Sequence, residues 1–240
     1  MKFFRKIRYD LMEKNKTGKY LKYAIGEILL VVIGILIALQ INTWNEDQKN
    51  KALEKNVLEN LVENLEQNCD RLKSRMRSIE YYRKSGSVII SAIENNLGNQ
   101  DSLENYYHHA LINTSNIKLS NIGYALIKNI GFEILSNQPL KKEVMIFFEE
   151  TQPRFHEALS WGAVDVRDRE KFIDENFIPS PTKKGLMYTA FDSSSLYKNN
   201  YFISLIYKTD AQRTFFSQNM EEHLEKSQKM LKIIKAELNK

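Results

Sequence analysis

The sequence predicts an all-α protein, in which one N-terminal transmembrane helix continues into a long helix that packs with a C-terminal helical bundle. Three observations predict this class: an apolar run at residues 28–39, a heptad-spaced apolar stripe after it, and short helix-patterned segments over the rest of the chain. No pattern of period two persists long enough to support a sheet. We divide the chain into a basic cytoplasmic tail (1–23), a transmembrane helix (24–44), a long amphipathic helix (45–85) and an exported helical domain (86–240).

The basic tail has the pattern of a helix that lies on a membrane surface. Eight Lys/Arg and two acidic residues fall within residues 1–23, and the apolar side chains of residues 2–12 share one helical face. Anionic lipid should attract this tail by about 1 kcal/mol per basic residue near the surface, so membrane lipid is its expected partner. The residues expected at the membrane interface are Lys2, Arg5, Lys6, Arg8, Lys19, Lys22, Tyr23 and Trp44.

The apolar run predicts one membrane span. With its apolar flanks it covers about 18 to 20 residues, close to the roughly 20 that cross a hydrocarbon core. A buried core helix could contain such a run, but the basic residues before it and the polar residues after it argue against that interpretation. A cleaved signal peptide would need a small-x-small site after the core, where the candidate positions hold Leu36 and Ala38 or Gln40 and Asn42. We therefore favour a retained signal anchor.

The charge difference across the span predicts its orientation. The excess of Lys and Arg before the span places the N-terminus in the cytoplasm. The 196 residues after Trp44 would then be exported, into the periplasm if the cell has two membranes, and the span would lie in the inner membrane.

Two details inside the span invite functional interpretation. Gly26, Gly34 and Ala38 are small residues that would let a second helix approach closely. Glu27 is an ionisable residue about one turn inside the span. We expect its carboxylate to reach the headgroups, Lys22 or Lys19 rather than to carry protons or ions.

The first 46 residues resemble a known family. The pieces FFRKIR, GKYLKYAIGE, LVVIGILIALQIN and WNE are similar to the start of an uncharacterised family of single-span bacterial membrane proteins, the domain-of-unknown-function family six-zero-nine-zero. A weaker likeness to the family's Tyr-x-x-Leu-Lys-x-x-Gly pattern includes Tyr124, Lys128, Gly131 and later Leu140, with Ile127 where leucine is expected. The resemblance implies a membrane location and a helical exported region, and it implies no reaction, cofactor or catalytic residue.

Residues 45–82 contain no Pro or Gly and predict one long helix. Apolar side chains recur along it at alternating steps of four and three, and they form a seam of Leu58, Val62, Leu65, Cys69, Leu72, Met76 and Ile79. Leu61 widens this face beyond a narrow coiled-coil seam, which favours packing within the chain over pairing with a second copy. Cys69 is interpreted as a small buried hydrophobe, although in a parallel dimer two copies of Cys69 would face each other and could oxidise.

The rest of the chain predicts shorter helices. Residues 85–87, Ser-Gly-Ser, are expected to end the long helix, and a break is expected near Trp161 and Gly162. Asp210 is the expected N-cap of a final helix. The longest irregular stretch, residues 179–195, is the best candidate for a loop that contacts a partner. Further helices are expected after Asp101, Ser120, Asn137 and Pro153.

Composition excludes several function classes. The net charge of +5 comes from the tail, because outside residues 1–23 and Glu27 the chain has 27 basic and 27 acidic residues. Nucleic-acid binding needs a clustered basic face, so no nucleic-acid partner is expected. A single cysteine excludes an internal disulfide and any multi-cysteine metal site.

The residues that could carry chemistry form no convincing catalytic pattern. His108 and His109 are adjacent and cannot readily share one ion on a helix, so a hydrolase or metal enzyme would require Glu104, His108 and His156 to converge. Acidic and basic residues alternate in two regions and predict a salt-bridged, exposed helix face rather than catalytic carboxylates: Glu149, Glu150, Arg154, Asp165, Arg167, Asp168, Arg169, Glu170 and Lys171. We assign no catalytic residue, no cofactor and no metal ligand.

The sequence therefore predicts a membrane-anchored helical interaction or scaffolding protein of the bacterial cell envelope, which is not an enzyme and has a protein partner or a second copy of itself. One alternative is an accessory subunit or regulator of an envelope sensor or transport complex. Such a subunit would need a partner's span to carry a signal across the membrane. The other alternative is the hydrolase or metal enzyme.

Overall fold

The structure is a computed structural model and describes residues 17–95, 101–112, 117–161, 166–182 and 185–240. Nearly all of these residues are helical, which confirms the predicted class, and one two-stranded hairpin is present among them. Contacts divide the chain into two units, Met1–Lys55 and Asn56–Lys240. The first unit contains the apolar part of the first helix, and the second contains the helical bundle.

Short 3₁₀ and π segments lie between some of the helices. Two 3₁₀ turns, Asp101–Leu103 and Phe132–Ile134, precede α2 and α4, and a π-helical turn, Phe147–Thr151, follows α4. The α-helices are α1 (Thr17–Glu94), α2 (Glu104–Leu111), α3 (Ile122–Ile130), α4 (Gln138–Ile146), α5 (Gln152–Trp161), α6 (Val166–Asn176), α7 (Ser193–Leu196) and α8 (Asn200–Leu238).

Side-chain caps begin three of these helices, where they satisfy backbone N–H groups that have no partner within the helix. The Asn137 side chain accepts a hydrogen bond from the backbone N–H of Leu140 at the start of α4. Asp192 caps α7 in the same way, and Asn199 caps α8 through the N–H groups of Tyr201 and Phe202. The predicted start near Asn137 is therefore correct.

Two predicted helix boundaries are wrong. The long helix α1 does not end at residues 85–87 but continues to Glu94, and Ser85 and Gly86 are buried in it. Asp210 lies inside α8 rather than at a helix start, and its carboxylate is 3.5 Å from the Arg83 side chain. In both places tertiary contacts hold the helix where the local sequence predicts an interruption.

Part of the predicted irregular stretch is a β-hairpin, contrary to the expectation of no sheet. Strand β1 (Phe177–Thr182) pairs antiparallel with β2 (Gly185–Ala190), with Phe177 opposite Ala190. Phe177 is buried and anchors the hairpin on the bundle. Because side chains alternate along a strand, Ile178 points away from the face that carries Phe177.

Three clusters of buried side chains form the core of the second unit. The first contains Val57, Leu58, Leu61, Leu65, Tyr124, Ile127, Leu135, Leu140, Val144, Phe147, Phe148, Met230 and Ile234. The second contains Leu72, Ile79, Phe155, Leu159, Phe216 and Met220. The third contains Ile89, Ala92, Leu103, Tyr107, Ala110, Leu111, Phe172, Phe177, Leu196, Phe202, Leu205 and Ile206. Since α1 and α8 contribute to all three clusters in opposite order, these two helices run antiparallel.

The helix α3 packs very closely on α1. A Cβ atom added to Gly123 would lie 2.9 Å from the backbone oxygen of Asn60 and 3.1 Å from the Cα of Leu61, so only glycine fits there. Two turns further along α1, the buried Asn68 side chain donates to the carbonyl of Ser120 at 2.7 Å and accepts from its N–H at 2.8 Å. This amide pair fixes the segment that leads into α3 against α1.

Candidate functional site

The N-terminal part of α1 is a bare apolar surface. The large apolar side chains between Ile25 and Ile41 are all exposed, from 44% for Val32 to 67% for Leu30. This is one helix in the described residues that is long and apolar enough to cross a membrane. Burying such a surface in a membrane would remove it from water, which is the usual reason for a stretch of this length.

Two of the expected interface residues, Lys22 and Trp44, have described side chains and lie at the two ends of this stretch. Lys22 and Trp44 are exposed, and 22 residues of helix separate them by about 33 Å, close to the thickness of a hydrocarbon core. Of the other interface residues, Lys2, Arg5, Lys6 and Arg8 lie outside the described residues, as do the side chains of Lys19 and Tyr23. Their role at the membrane surface stays a prediction.

The small residues of this apolar stretch have no close neighbour among the described residues. Nothing described lies within 4 Å of a Cβ atom built on Gly26 or Gly34, and Ala38 is exposed. Gly34 and Ala38 are four residues apart and therefore share a face of the helix. This face is open to a second helix, and its use for packing stays a prediction.

The seam of α1 packs within the chain. Leu58, Leu65, Cys69, Leu72 and Ile79 are buried, and Val62 and Met76 are half-buried against the first and second core clusters. Helices of the same chain occupy this face, so its apolar width is used without a second copy. Burial also raises the pKa of the Cys69 thiol, which disfavours the thiolate and makes this cysteine unreactive.

His108 and His156 do not meet in one site. The His108 ring lies 5.0 Å from the Tyr188 ring of β2, whereas His156 neighbours Phe155 in α5. Within the described ranges, no group of three or more His, Cys, Asp or Glu side chains is placed to hold a metal ion. The arrangement that the hydrolase or metal-enzyme hypothesis required, with Glu104, His108 and His156 together, does not occur.

A fourth histidine, His223, lines a surface cleft of about 180 Å³ between α5 and α8. Its ring stacks on Phe155 at 4.3 Å and on Phe147 at 5.6 Å. Burial, together with the positive charges of His156 and Lys226, lowers the pKa of His223 to about 4. The imidazole is therefore neutral at neutral pH. Phe147 is the first residue of the π-helical turn.

The hairpin presents an exposed apolar surface beside the bundle. Ile178 and Phe191 lie on its outward face, and Phe191 is 63% exposed. The N–H of Phe191 donates to the carbonyl of Asn176 at 3.0 Å, which continues the pairing of the strands by one step. We call Ile178 and Phe191 the hairpin surface; Leu186 is also exposed, but it lies at the end of the hairpin on the opposite face.

The hairpin edge is protected against strand addition. Pro179 and Pro181 in β1 lack backbone N–H groups, and prolines on an edge strand prevent pairing with another strand. On the other strand, Tyr188 packs against His108 of α2.

Comparison with known proteins adds one finding. Residues 27–128 match the model of a family of unknown function, DUF6090. This match confirms the resemblance found in the sequence, and it covers less than half of the chain. No curated protein and no solved structure matches the chain.

The DUF6090 match includes the apolar stretch and seam of α1, all of α2 and most of α3. The match ends at residue 128, inside the Tyr-x-x-Leu-Lys-x-x-Gly pattern that begins at Tyr124. The structure shows what three residues of this pattern do. Tyr124 and Ile127 are one turn apart and are both buried in the first core cluster. Gly131 ends α3 at φ 108°, a conformation that favours glycine. The hairpin surface and α8 lie outside the DUF6090 match.

A buried arginine connects the DUF6090-matched helices to α8, and the sequence analysis missed it. Arg213 is only 1% exposed. Its guanidinium donates to the carbonyls of Tyr82 at 3.0 Å, His109 at 2.7 Å and Ile112 at 2.9 Å. The last two carbonyls lie at the end of α2, where a helix has no internal donors to offer them. Arg213 occupies a position on the apolar stripe of α8, which is the signal that could have revealed it.

The acidic and basic clusters differ from the prediction in one respect. Arg154 pairs with Glu150 at 3.4 Å and Lys171 pairs with Glu175 at 3.9 Å, as an exposed salt-bridged face requires. Arg169, in contrast, is 3% exposed and has no hydrogen bond to any described residue. The expectation that Arg169 belongs to the exposed face is wrong, because it lies on the side of α6 that packs on the bundle with Phe172.

Proposed function

We propose that this protein is a single-span anchor protein of the bacterial cell envelope, whose helical unit binds a protein partner outside the cytoplasm. The apolar stretch of α1 carries the proposal, because its side chains are exposed along more than four turns. The basic residues before it favour an N-terminus in the cytoplasm. We propose that this role is binding and not catalysis.

The hairpin surface is the proposed contact with the partner. Ile178 and Phe191 are apolar, exposed and held on a hairpin anchored by the buried Phe177. Exposed aromatic side chains on a rigid element are typical anchors of protein interfaces. The protected edge of β1 limits the contact to side chains, which favours a defined partner over aggregation.

Topology is tested by protease digestion of a C-terminally tagged copy in intact spheroplasts, with a cytoplasmic protein as the protection control. Loss of the tag before lysis would support the proposal. Protection until lysis would overturn the orientation and place the helical unit in the cytoplasm.

The partner surface is tested by a photo-crosslinking amino acid placed at Phe191 in living cells. The matched control carries the same group at Gln228, an exposed polar position on α8. We expect a discrete adduct from Phe191 that disappears when Ile178 is changed to Asp, and none from Gln228. Equal adducts from both positions would refute a hairpin contact, and an adduct of two differently tagged copies would identify the partner as the chain itself.

A further inference from the structure

A second cleft adjoins the cleft that His223 lines. We call the first one the polar cleft, because polar or charged side chains form most of its wall beside His223 and Phe155: Thr151, Arg154, Asn219, Glu222 and Lys226. The second, the apolar cleft, also has a volume of about 180 Å³, and half of its eight lining residues are large and apolar: Ile146, Phe147, Met230 and Ile233. Thr151 and Lys226 belong to both walls, so the two clefts meet at these residues.

The two clefts form one groove along α8. The lining residues of α8 extend from Asn219 to Ile233, which is about 21 Å of helix, and those on the facing side extend from Glu143 to Phe155. Each cleft alone is smaller than the roughly 300 Å³ at which ordinary small-molecule sites begin, whereas the two together reach that size. The groove therefore fits an elongated ligand that occupies both clefts.

The charged side chains of the polar cleft favour an anionic group at that end. Two basic residues and one acidic residue line it. The Lys226 ammonium is 2.6 Å from Glu222, and the Arg154 guanidinium is 3.4 Å from Glu150, which is not part of the wall. Exposed pairs of this kind contribute at most about 1 kcal/mol, so a ligand carboxylate can replace the glutamate beside either basic side chain.

His223 adds an unsatisfied hydrogen-bonding group to the same wall. This residue is 3% exposed, and its Nε2 has no hydrogen-bond partner in the described ranges. Buried polar atoms normally have such a partner. The polar end of the groove is therefore incomplete in the described chain, whereas the apolar end consists of side chains that suit a hydrocarbon.

We propose that this groove binds a medium-chain carboxylate, with the carboxylate in the polar cleft and the hydrocarbon chain in the apolar cleft. Arg154 and Lys226 supply the positive charges for the carboxylate, and the Thr151 hydroxyl donates a hydrogen bond where the two clefts meet. The chain packs against Ile146 and Ile233. A carboxylate has one negative charge at neutral pH, which matches the single excess positive charge of the polar cleft better than a phosphate monoester does. This site goes beyond the proposed anchor function and does not depend on membrane topology.

The test is photo-crosslinking of the full-length protein in nanodiscs of zwitterionic lipid, with octanoate that carries a diazirine in its chain. Mass spectrometry of peptides locates the adducts, and adducts on the apolar stretch of α1 report partition into the lipid. We expect further adducts within residues 143–155 and 219–233 that saturate with concentration. Unlabelled octanoate should displace them at lower concentrations than octanol, octylamine or octyl phosphate does. Hexanoate should be weaker by up to about 15-fold, at about 0.8 kcal/mol for each of the two missing methylenes.

Three results would overturn the proposal. Adducts on the apolar stretch alone would show partition into lipid and no site in the groove. Displacement by octylamine as effective as that by octanoate would exclude recognition of an anion. Stronger displacement by octyl phosphate would exclude a carboxylate as the preferred group.

Variants locate the carboxylate. Arg154→Gln and Lys226→Gln each remove a positive charge at an exposed position, so the fold should persist. Each should weaken octanoate binding by about tenfold, which corresponds to about 1.4 kcal/mol. Arg77→Gln, at an exposed position of α1 outside the groove, is the matched control and should bind like the wild type. Undiminished binding in both Arg154→Gln and Lys226→Gln would refute the placement of the carboxylate in the polar cleft.

Discussion

Replacing Arg213 by Met should destabilise the helical unit more than any surface arginine change. The substitution removes three charged hydrogen bonds, to the carbonyls of Tyr82, His109 and Ile112. At about 2 kcal/mol for each such bond, their loss costs about 6 kcal/mol. Methionine is apolar and of similar length, so the shape of the site is largely retained.

The loss is partly offset, because the buried charge of Arg213 is itself unfavourable. Burial and the positive charge of Arg169 lower the pKa of Arg213 from 12.5 to about 10, which corresponds to about 3 kcal/mol. The net decrease in the free energy of unfolding is therefore about 3 kcal/mol. For a unit of this size we expect the midpoint to fall by about 6 to 12 °C.

Chemical unfolding of the full-length protein in detergent micelles measures the free energy, and thermal unfolding measures the midpoint temperature, both followed by the near-ultraviolet signal of its tyrosines. Arg154→Met is the matched control, since Arg154 is exposed and its i,i+4 ion pair with Glu150 should contribute less than about 0.5 kcal/mol. Hydrogen exchange should also accelerate at the C-terminal end of α2, where two of the three carbonyls lie. If Arg213→Met stayed within about 1 kcal/mol of the wild type, the carbonyl contacts would not hold the three helices together as argued.

Three further predictions follow from other contacts. Gly123→Ala should lower the free energy of unfolding by about 1 to 3 kcal/mol, because the added methyl group collides with the backbone of α1. Gly86→Ala is its control and should be neutral or stabilising, because the added atom meets only a side-chain nitrogen at 3.7 Å. Urea unfolding measures the free energy of unfolding of both variants. Asn68→Ala should cost about 1 to 3 kcal/mol and speed hydrogen exchange before α3, and Asn60→Ala serves as its control. Because the pKa of His223 is lowered to about 4, the unfolded chain binds more protons between that pH and about 6.5, so stability should fall by up to about 3 kcal/mol as the pH drops through this range. His223→Phe should remove most of that pH dependence of the unfolding midpoint.

The sequence predicts the elements whose signal is long and periodic. The apolar stretch of α1 and the alternating steps from Leu58 to Ile79 extend over many turns, so their helical character does not depend on tertiary context. The hairpin is not predicted by signals of this kind. Pro179 and Pro181 occupy alternate positions of β1, where proline normally argues against a strand, and the strand is tolerated because that edge is unpaired.

Buried charged residues are harder to predict from the sequence than the hairpin, because a charged residue on a helix is normally exposed. Arg169 stands in the run VRDREK, whose charge density predicts a solvated face. Its burial follows from Phe172 one turn later, which packs on α8. The periodicity of the apolar residues could have predicted that Arg169 is buried, but the composition of the segment could not.

The Ser-Gly-Ser segment shows how a helix-breaking signal can have a tertiary cause. Gly86 is buried, and the nearest atom to a Cβ built on it is the Nη1 of Arg213, at 3.7 Å. The same nitrogen donates to the carbonyl of Tyr82, one turn earlier on α1. Small side chains at positions 85 and 86 therefore leave room for the guanidinium to reach the backbone of α1. A larger residue such as Leu at Gly86 should act through this contact and destabilise the protein much as Arg213→Met does, and the two changes combined should cost less than the sum of each alone.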